Sequence, residues 1–384
     1  MLFTRKQSVC CYQGAGYKPS FLLLDDRKFH LRSFMSKMEF PTELALSVVV
    51  LLFVSVLVGT ASAATATTRS GVRLAEAGTE RVYFTHNDKP LLSFGGQGDF
   101  IFYLAEDAYD YKLWADWAAA HGINHIRAYP PLSWKYIEKM TRICKGSEAN
   151  MLFPYRETSP GSRKFDLTKF DDAYWKRFRA QCEYLQSKGI IIHLPICSGF
   201  HTRRDVHQWP GSFFNPVNNI NDFTDHLPKK NPERRYYVLE EGKEELAEAQ
   251  KAWFRKILEE THDLDNIYYD LVHEIGMRAI EWEPLKLWIE TMALATRKYW
   301  AELEPEKPII LGMDSGEFPG LKRAYGIAGM PEPGSPMDWM FSRPYFDVLI
   351  YGYGHYVHNA WEWRKKYKKP YIGQECWDED YQSN

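Results

Sequence analysis

Cysteine is scarce in this chain, and neither sign of charge predominates. Its 384 residues include six cysteines, too few for a disulfide framework to hold a domain of that size. Lys and Arg total 48 against 50 Asp and Glu, so the formal net charge is −2. Without a basic excess the chain cannot neutralise many phosphates, which excludes a nucleic-acid binder of the usual basic kind. The mean hydropathy of −0.45 excludes a protein with many membrane spans.

No cofactor-binding or nucleophile motif is complete either. Gly96 and Gly98 begin a pattern like that of a dinucleotide-binding loop, but Ile101 stands where the third glycine belongs. No serine lies in a G-x-S-x-G nucleophile elbow. Cys197 and Cys376 follow predicted strands, but no recognisable Cys/His pattern accompanies them. We therefore expect no cofactor.

Metal-binding patterns are incomplete as well. An H-E-x-x-H zinc motif begins at His273, but Met277 replaces its second histidine. His201, Asp205 and His207 lie in one predicted loop, where such side chains more often contact solvent or substrate than a metal. The sequence therefore predicts no metal site.

The chain contains one long apolar run, Leu44–Val58. It has 15 residues and would span about 22 Å as a helix, less than the roughly 30 Å hydrocarbon core of a bilayer. Lys37 precedes the run and Ala61-Ser62-Ala63 follows it, as in a secretory signal peptide. We predict a targeting region over residues 1–63, with the signal peptide at about 38–63 and an unstructured part before it. The mature protein is then secreted or periplasmic, without stable membrane insertion; an uncleaved anchor is the less favoured alternative.

Short apolar runs recur along the chain from residue 81 onward. Arg81–Phe84 and Leu91–Phe94 flank a polar turn and predict a β-hairpin. Seven runs predict the strands of a larger sheet, and the first of them is the second arm of that hairpin. These seven runs are Leu91–Phe94, Asn124–Tyr129, Ile190–Ile196, Ile267–Val272, Ile309–Met313, Val348–Tyr351 and Tyr371–Gln374.

Helical patterns lie between these runs. Apolar residues recur at intervals of three or four at Leu113, Trp117 and Ala120, and again from Leu246 to Thr261. Strands that are apolar on both faces, alternating with amphipathic helices, predict a parallel sheet covered by helices.

The connections between these elements differ in length. Helix-to-strand joins are short, whereas the strand-to-helix loops from Pro130 to about Lys169 and from Cys197 to about Glu240 are long. Long loops at the carboxyl ends of strands build the active site of a (β/α)8 TIM barrel. A doubly wound sheet is the alternative, and it also binds ligands at those ends. We predict a TIM barrel over residues 75–384 that is truncated after strand seven, because no eighth strand follows Gln374.

Two glutamates stand where predicted strands end. Glu274 closes the fourth barrel strand and Glu375 closes the seventh, so they can face each other across the mouth of the barrel. Two carboxylates about 5–5.5 Å apart can cleave a glycosidic bond, one as nucleophile and the other as proton donor. A salt bridge at a strand end is the alternative role for either residue alone.

Five stretches of the sequence resemble one enzyme family. The stretches are Lys89–Gly96, Gly122–Arg127, Trp175–Gly189, Asn266–Glu274 and Lys369–Glu375. Through them the chain from about residue 81 to residue 384 is similar to the cellulase-like clan of retaining glycoside hydrolases, whose TIM barrels are typified by family five. In that clan the strand-four glutamate is the acid/base and the strand-seven glutamate the nucleophile, which implies these roles for Glu274 and Glu375.

The resemblance also implies substrate-binding residues around the two glutamates. The clan's arginine at the end of strand two supports the nucleophile and corresponds to Arg127. Its histidine and tyrosine at strand six contact the sugar near the nucleophile and point to His355 with Tyr353 or Tyr356. Trp377 follows Glu375 by two residues and is our preferred platform for sugar stacking.

This chain has His273 where the clan usually has asparagine directly before the acid/base. Adjacent side chains of an extended strand point to opposite faces, so His273 and Glu274 can share a pocket only if the strand end is distorted. We predict this distortion, and we predict that His273 hydrogen-bonds the sugar 2-hydroxyl.

The sequence thus predicts an exported retaining hydrolase that cleaves a β-linked oligo- or polysaccharide through a covalent glycosyl-enzyme intermediate. The alternative is a carbohydrate-binding barrel without catalysis, which His273 in place of asparagine favours. A third possibility is a barrel that serves only as a structural scaffold.

Overall fold

The computed structural model describes residues 71–202, 208–229, 232–275, 280–314, 331–353 and 360–375. The chain divides into two compact units, Met1–Thr68 and Arg69–Asn384, and every described residue belongs to the second. The predicted targeting region therefore lies outside the described residues. Within the described ranges, no helix combines the length and the apolar character needed to cross a bilayer.

Strands and helices alternate through most of the described chain. The strands are β1 (Val72–Ala75), β2 (Tyr83–His86), β3 (Lys89–Pro90), β4 (Gly95–Gln97), β5 (His125–Arg127), β6 (Tyr155–Glu157), β7 (Phe165–Phe170), β8 (Ile191–Ser198), β9 (Ile267–His273), β10 (Leu311–Asp314), β11 (Val348–Tyr353) and β12 (Tyr371–Glu375). The α-helices are α1 (Tyr111–Ala120), α2 (Trp134–Ile143), α3 (Asp172–Ser187), α4 (Glu233–Tyr236), α5 (Glu244–Thr261), α6 (Trp282–Leu303), α7 (Pro336–Ser342) and α8 (Ala360–Tyr367).

Seven parallel strands form the main sheet, in the order β4-β5-β8-β9-β10-β11-β12. Each strand pairs with the next one of the sheet along the chain, and helices lie between successive strands from β4 to β12. This sequential order is that of a (β/α)8 barrel, whereas a doubly wound sheet reverses its order at a switch point. The TIM-barrel prediction is confirmed over these seven strands, which we number one to seven.

The sequence explains where these elements begin and end. Every residue of β8 and β9 is buried, as expected for parallel strands covered on both faces. Asp171 caps α3 by accepting hydrogen bonds from the backbone N–H groups of Ala173 and Tyr174. The same helix ends before Gly189, whose φ of +71° lies in the left-handed region that glycine adopts without strain.

β1, β2 and β3 form a small antiparallel sheet that contacts the amino ends of barrel strands. Asn87 and Asp88 form its hairpin turn with φ values of 52° and 59°, which confirms the predicted turn. The backbone N–H of Val72 donates to the carbonyl of Asp265, directly before β9. Val72 also belongs to an apolar cluster with residues of β8, β9 and β11 and with Ile310, directly before β10, so this end of the sheet is closed by apolar packing.

The first barrel strand was predicted wrongly. It is β4 rather than Leu91–Phe94, and Leu92 and Phe94 are exposed. The reason is a side chain distant in sequence. The Asn124 side chain accepts from the Phe94 N–H and donates to the Leu92 carbonyl, so these two backbone groups bond a side chain instead of a neighbouring strand. The regular pairing with β5 therefore begins at Gly95.

The predicted helix at residues 113–120 exists, but it buries a different face. Leu113 and Trp117 of α1 are 53% and 52% exposed, whereas Ala115 and Ala118 are fully buried. The small side chains let the helix approach the barrel closely. The periodicity identified the helix but not its inner face.

The long loops stand at the carboxyl ends of the strands, as predicted. The connection after β5 contains α2 and the β6–β7 hairpin, and the connection after β8 contains several short 3-10 turns and α4. The candidate site lies at this edge of the sheet.

Candidate active site

Most of the predicted site residues lie at or near the carboxyl ends of the barrel strands. Arg127 ends β5, His273 ends β9 with Glu274 next to it, and Tyr353 of β11 pairs in register with Glu375 of β12. The backbones of these residues are described, but the side chains of Tyr353 and Glu375 are not. The predicted contacts His355, Tyr356 and Trp377 lie outside the described residues.

The backbone turns sharply at Glu274. Its φ is +50°, in the left-handed region that residues other than glycine rarely adopt. The Oε1 atom of Glu274 consequently lies 3.9 Å from Nε2 of His273, although the two residues are adjacent. The predicted distortion of the strand end is present, and it brings the two side chains together.

Gly199 allows this turn because it has no side chain. A Cβ at that position would lie 2.3 Å from the carbonyl oxygen of Glu274 and 2.5 Å from the Cα of Ile275. The turn after β8 therefore packs directly against the backbone after β9. Sequence reasoning did not identify Gly199, because its partner is distant along the chain.

Asp314 is a site residue that the sequence analysis missed. Its Oδ2 atom lies 3.1 Å from Nδ1 of His273 and accepts a 3.1 Å hydrogen bond from the backbone N–H of Glu274. The side chain is fully buried at the end of β10. The available signal was an acid at the end of an apolar strand, the same signal that identified Glu274 and Glu375.

Below these groups, polar side chains continue into the interior of the barrel. Asp270 of β9 accepts a hydrogen bond from the backbone N–H of Asp314, and its Oδ2 lies 3.5 Å from Nε2 of His193. His193 stacks on Tyr268 with ring centroids 4.8 Å apart, and His125 hydrogen-bonds the Tyr268 hydroxyl over 2.8 Å. His193 is thus a buried histidine in the interior of the barrel.

Arg127 adds a buried positive charge beside this interior layer. The residue is level with His193 in the pairing of β5 and β8, and it is only 6% exposed. Burial, with the charges of His125 and Arg127, holds the pKa of His193 well below its ordinary value. His193 is therefore neutral and unsuited to carry a proton in catalysis.

Aromatic rings form a wall next to His273. The Tyr129 ring lies 5.6 Å from the His273 ring and 5.8 Å from that of His201. The backbone N–H of Leu132 donates to Nδ1 of His201, and burial lowers the pKa of His201 to about 3. His201 is thus a neutral wall residue whose Nδ1 atom accepts a protein hydrogen bond.

Neither metal chemistry nor a cysteine nucleophile gains support from the described residues. No group of His, Cys, Asp and Glu among them is arranged to hold a metal ion. Asp205 and His207 lie outside the described ranges. Burial raises the pKa of Cys197 to about 12, so its thiol stays protonated near neutral pH.

The chain matches known proteins in structure but not in sequence. No family model and no curated protein sequence match the chain. A glycoside hydrolase family 5 structure from Bacteroides vulgatus matches at 14% identity and a TM-score of 0.43, over 80% of this chain and 53% of that one. The endo-beta-1,4-mannanase from Thermotoga petrophila matches at 13% identity and a TM-score of 0.46, over 76% and 62%. A family 5 mannosidase from Rhizomucor miehei matches at 13% and 0.46, over 80% and 73%.

These matches concern the fold. The chain is similar in structure to glycoside hydrolases of the kind that its sequence motifs resemble. It spans about half the length of the first structures matched, which it covers to 48% and 53%. Because the TM-scores are below 0.5, these matches do not carry the assignment of the fold. That assignment rests on the strand order of this chain itself.

Proposed function

We propose that this protein is a retaining glycoside hydrolase that cleaves a β-linked oligo- or polysaccharide. One observation carries the proposal: Glu274 and Glu375 stand at the carboxyl ends of the fourth and seventh strands of a sequentially ordered parallel sheet. When such a sheet curves into a barrel, these two ends approach each other across its mouth. Two carboxyl groups at that place are the machinery that glycosidic bond cleavage needs.

The proposed reaction has two steps. Glu375 attacks the anomeric carbon while Glu274 gives its proton to the departing glycosidic oxygen, which leaves the sugar as an ester of Glu375. Glu274, now a carboxylate, takes a proton from a water molecule that attacks the same carbon and releases Glu375. The product keeps the configuration of the substrate, because the carbon is inverted twice.

The surroundings of Glu274 suit a group that gives and takes a proton. Its side chain is 14% exposed, enough to reach a substrate, and its backbone N–H is held by Asp314. His273 lies beside the carboxyl group and can contact the same sugar. We further propose sugar contacts from Arg127, His273, Tyr353, His355, Tyr356 and Trp377.

Export is part of the same proposal. We propose that residues 1–63 direct the chain out of the cytoplasm and that residues 75–384 form the enzyme domain, since extracellular polysaccharides are not accessible from the cytoplasm. The apolar run before Ala61-Ser62-Ala63 supports this assignment.

The test is covalent trapping with 2-deoxy-2-fluoro aryl glycosides of the gluco, manno, galacto and xylo series. The expected result is a glycosyl ester on Glu375, found by mass spectrometry of peptides. Glu375→Gln should fold normally and lose hydrolysis, because the attacking oxygen is gone. Glu245→Gln, at an exposed position of α5, is the matched control and should keep full activity.

Two outcomes would contradict the proposal. An ester on any other carboxylate would show that Glu375 is not the nucleophile. Binding of oligosaccharides without turnover, across the whole panel, would indicate the carbohydrate-binding barrel instead.

A further inference from the structure

We infer that Asp314 is a positioning residue that sets the geometry of His273 and Glu274 and the tautomer of His273. The inference rests on the proposed function, because it assigns Asp314 a task within that reaction. In this role Asp314 acts through His273 and Glu274, the pair of residues at the end of the neighbouring strand.

A single carboxylate oxygen serves both residues. Oδ2 of Asp314 accepts from the Glu274 backbone N–H and lies 3.1 Å from Nδ1 of His273. The first contact fixes the backbone at the residue whose φ is +50°. The second fixes the orientation of the imidazole ring. Removing this one oxygen therefore takes one hydrogen bond from the main chain of Glu274 and one from the side chain of His273.

Asp314 is itself held rigidly. The pairing of β9 with β10 matches Leu311 to Tyr269 and Gly312 to Asp270. Beyond these pairs, side chains continue the connection: the Asp314 N–H donates to Asp270, and the Glu274 N–H donates to Asp314. At this point each strand donates a backbone N–H to an aspartate of the other strand. Regular backbone pairing of the two strands would instead require an extended conformation at Glu274.

The contact with Asp314 also decides which nitrogen of His273 carries the proton. A buried carboxylate accepts hydrogen bonds, so the neutral ring carries its hydrogen on Nδ1. Nε2 then presents a lone pair toward the Glu274 carboxyl group, 3.9 Å away. In this tautomer Nε2 of His273 is a hydrogen-bond acceptor. It can accept from a sugar hydroxyl or from the O–H of the protonated Glu274.

The test compares Asp314→Asn with Asp347→Asn. Asparagine keeps the size of the side chain but removes its charge. Asp347 is the control, since it is another carboxylate bound to β10, 27% exposed, and it accepts from the Leu311 N–H and from Arg297 at the opposite end of that strand. Asp347→Asn should keep kcat within about twofold.

For Asp314→Asn we expect kcat to fall about 10- to 100-fold with less than a threefold change in KM, since a small misplacement of a catalytic group acts mainly on the transition state. The alkaline limb of the pH–rate profile should move to lower pH, because the variant lacks the negative charge beside His273 that favours a bound proton there. A merely structural role would leave that limb in place.

A second measurement needs no substrate. In protein labelled with ¹⁵N-histidine, the His273 signal, assigned by its loss in His273→Gln, should show the Nδ1–H tautomer in the wild type and change in Asp314→Asn. An Nε2–H tautomer in the wild type would overturn the inference, even if Asp314→Asn failed to fold.

The two proposals fail in different ways. If no glycan is cleaved but the tautomer is Nδ1–H and depends on Asp314, the proposed function fails and the positioning role stands. If glycans are cleaved and Asp314→Asn leaves kcat, the pH profile and the His273 signal unchanged, the positioning role is wrong and the proposed function stands.

Discussion

Replacing Gly199 with alanine is expected to displace Glu274. The added Cβ would lie 2.3 Å from the Glu274 carbonyl oxygen, 2.5 Å from the Ile275 Cα and 2.7 Å from the Glu274 carbonyl carbon. Non-bonded carbon and oxygen atoms normally stay about 3.3 Å apart, so the segment after β9 must move by about 1 Å. All three obstructing atoms belong to the backbone, so rotation of a side chain cannot relieve the contact.

The displacement should affect turnover more than stability. A misplacement of about 1 Å at a catalytic group can lower the rate about 100-fold, equivalent to about 2.7 kcal/mol of activation free energy. Forcing an extra carbon into a packed site typically costs about 1–3 kcal/mol of unfolding free energy. We therefore expect Gly199→Ala to fold, to have a moderately lower urea midpoint and to lose most of its activity.

The assay measures kcat and KM on a reactive aryl glycoside, together with urea unfolding. Gly96→Ala is the control, because a Cβ at that position meets no atom within 4 Å. It should match the wild type in both measurements. Wild-type kcat in Gly199→Ala would refute the reasoning, since it would mean that Glu274 acts equally well from a shifted backbone or does not act at all.

Two further predictions concern buried histidines and the sugar 2-hydroxyl. Burial lowers the pKa of His201 to about 3 and that of His125 to about 4, whereas both have the ordinary value of 6.5 in the unfolded chain. Below pH 6.5 the unfolded chain binds more protons, so lowering the pH from 7.5 to 5 should reduce the free energy of unfolding by about 4 kcal/mol for the two together. Urea midpoints at both pH values test this, and equal midpoints would contradict it; His201→Gln should reduce the loss by about 2 kcal/mol, the share of that one histidine. His273→Ala should slow hydrolysis of a 2-hydroxy substrate more than that of its 2-deoxy counterpart, and equal losses of kcat/KM would remove the proposed hydroxyl contact.

The elements predicted best from the sequence are the strands that are buried on both faces. β8 and β9 are buried at every residue, so their apolar runs were recognisable and their bounds came within one or two residues. The side-chain hydrogen bonds of Asn124 changed the first strand, and no local pattern around Leu92 reveals a partner 32 residues away. Periodicity alone did not distinguish Ala118 from Trp117 as the residue that faces the barrel.

The candidate site was predictable only in part, for a related reason. Glu274 stood out because it ends an apolar strand, and the same rule would have selected Asp314. Its contacts with His273 and Glu274 depend on how β9 and β10 align, which no single strand encodes. Gly199 carried no signal, because its importance comes from a backbone about 75 residues later.

The small sheet at the amino ends of the strands has a consequence for synthesis on the ribosome. Val72 is bound to Asp265, and the Val82 carbonyl accepts a hydrogen bond from Arg364, 282 residues later. At about 5–20 residues per second, these early residues wait roughly 14–56 s for that last partner. Until β8 and the later strands are made, the apolar side chains of β1 and β2 lack the partners that they cover in the folded sheet, so the nascent chain exposes apolar surface. Loss of the Arg364 contact should therefore reduce the yield of folded protein more than its final stability.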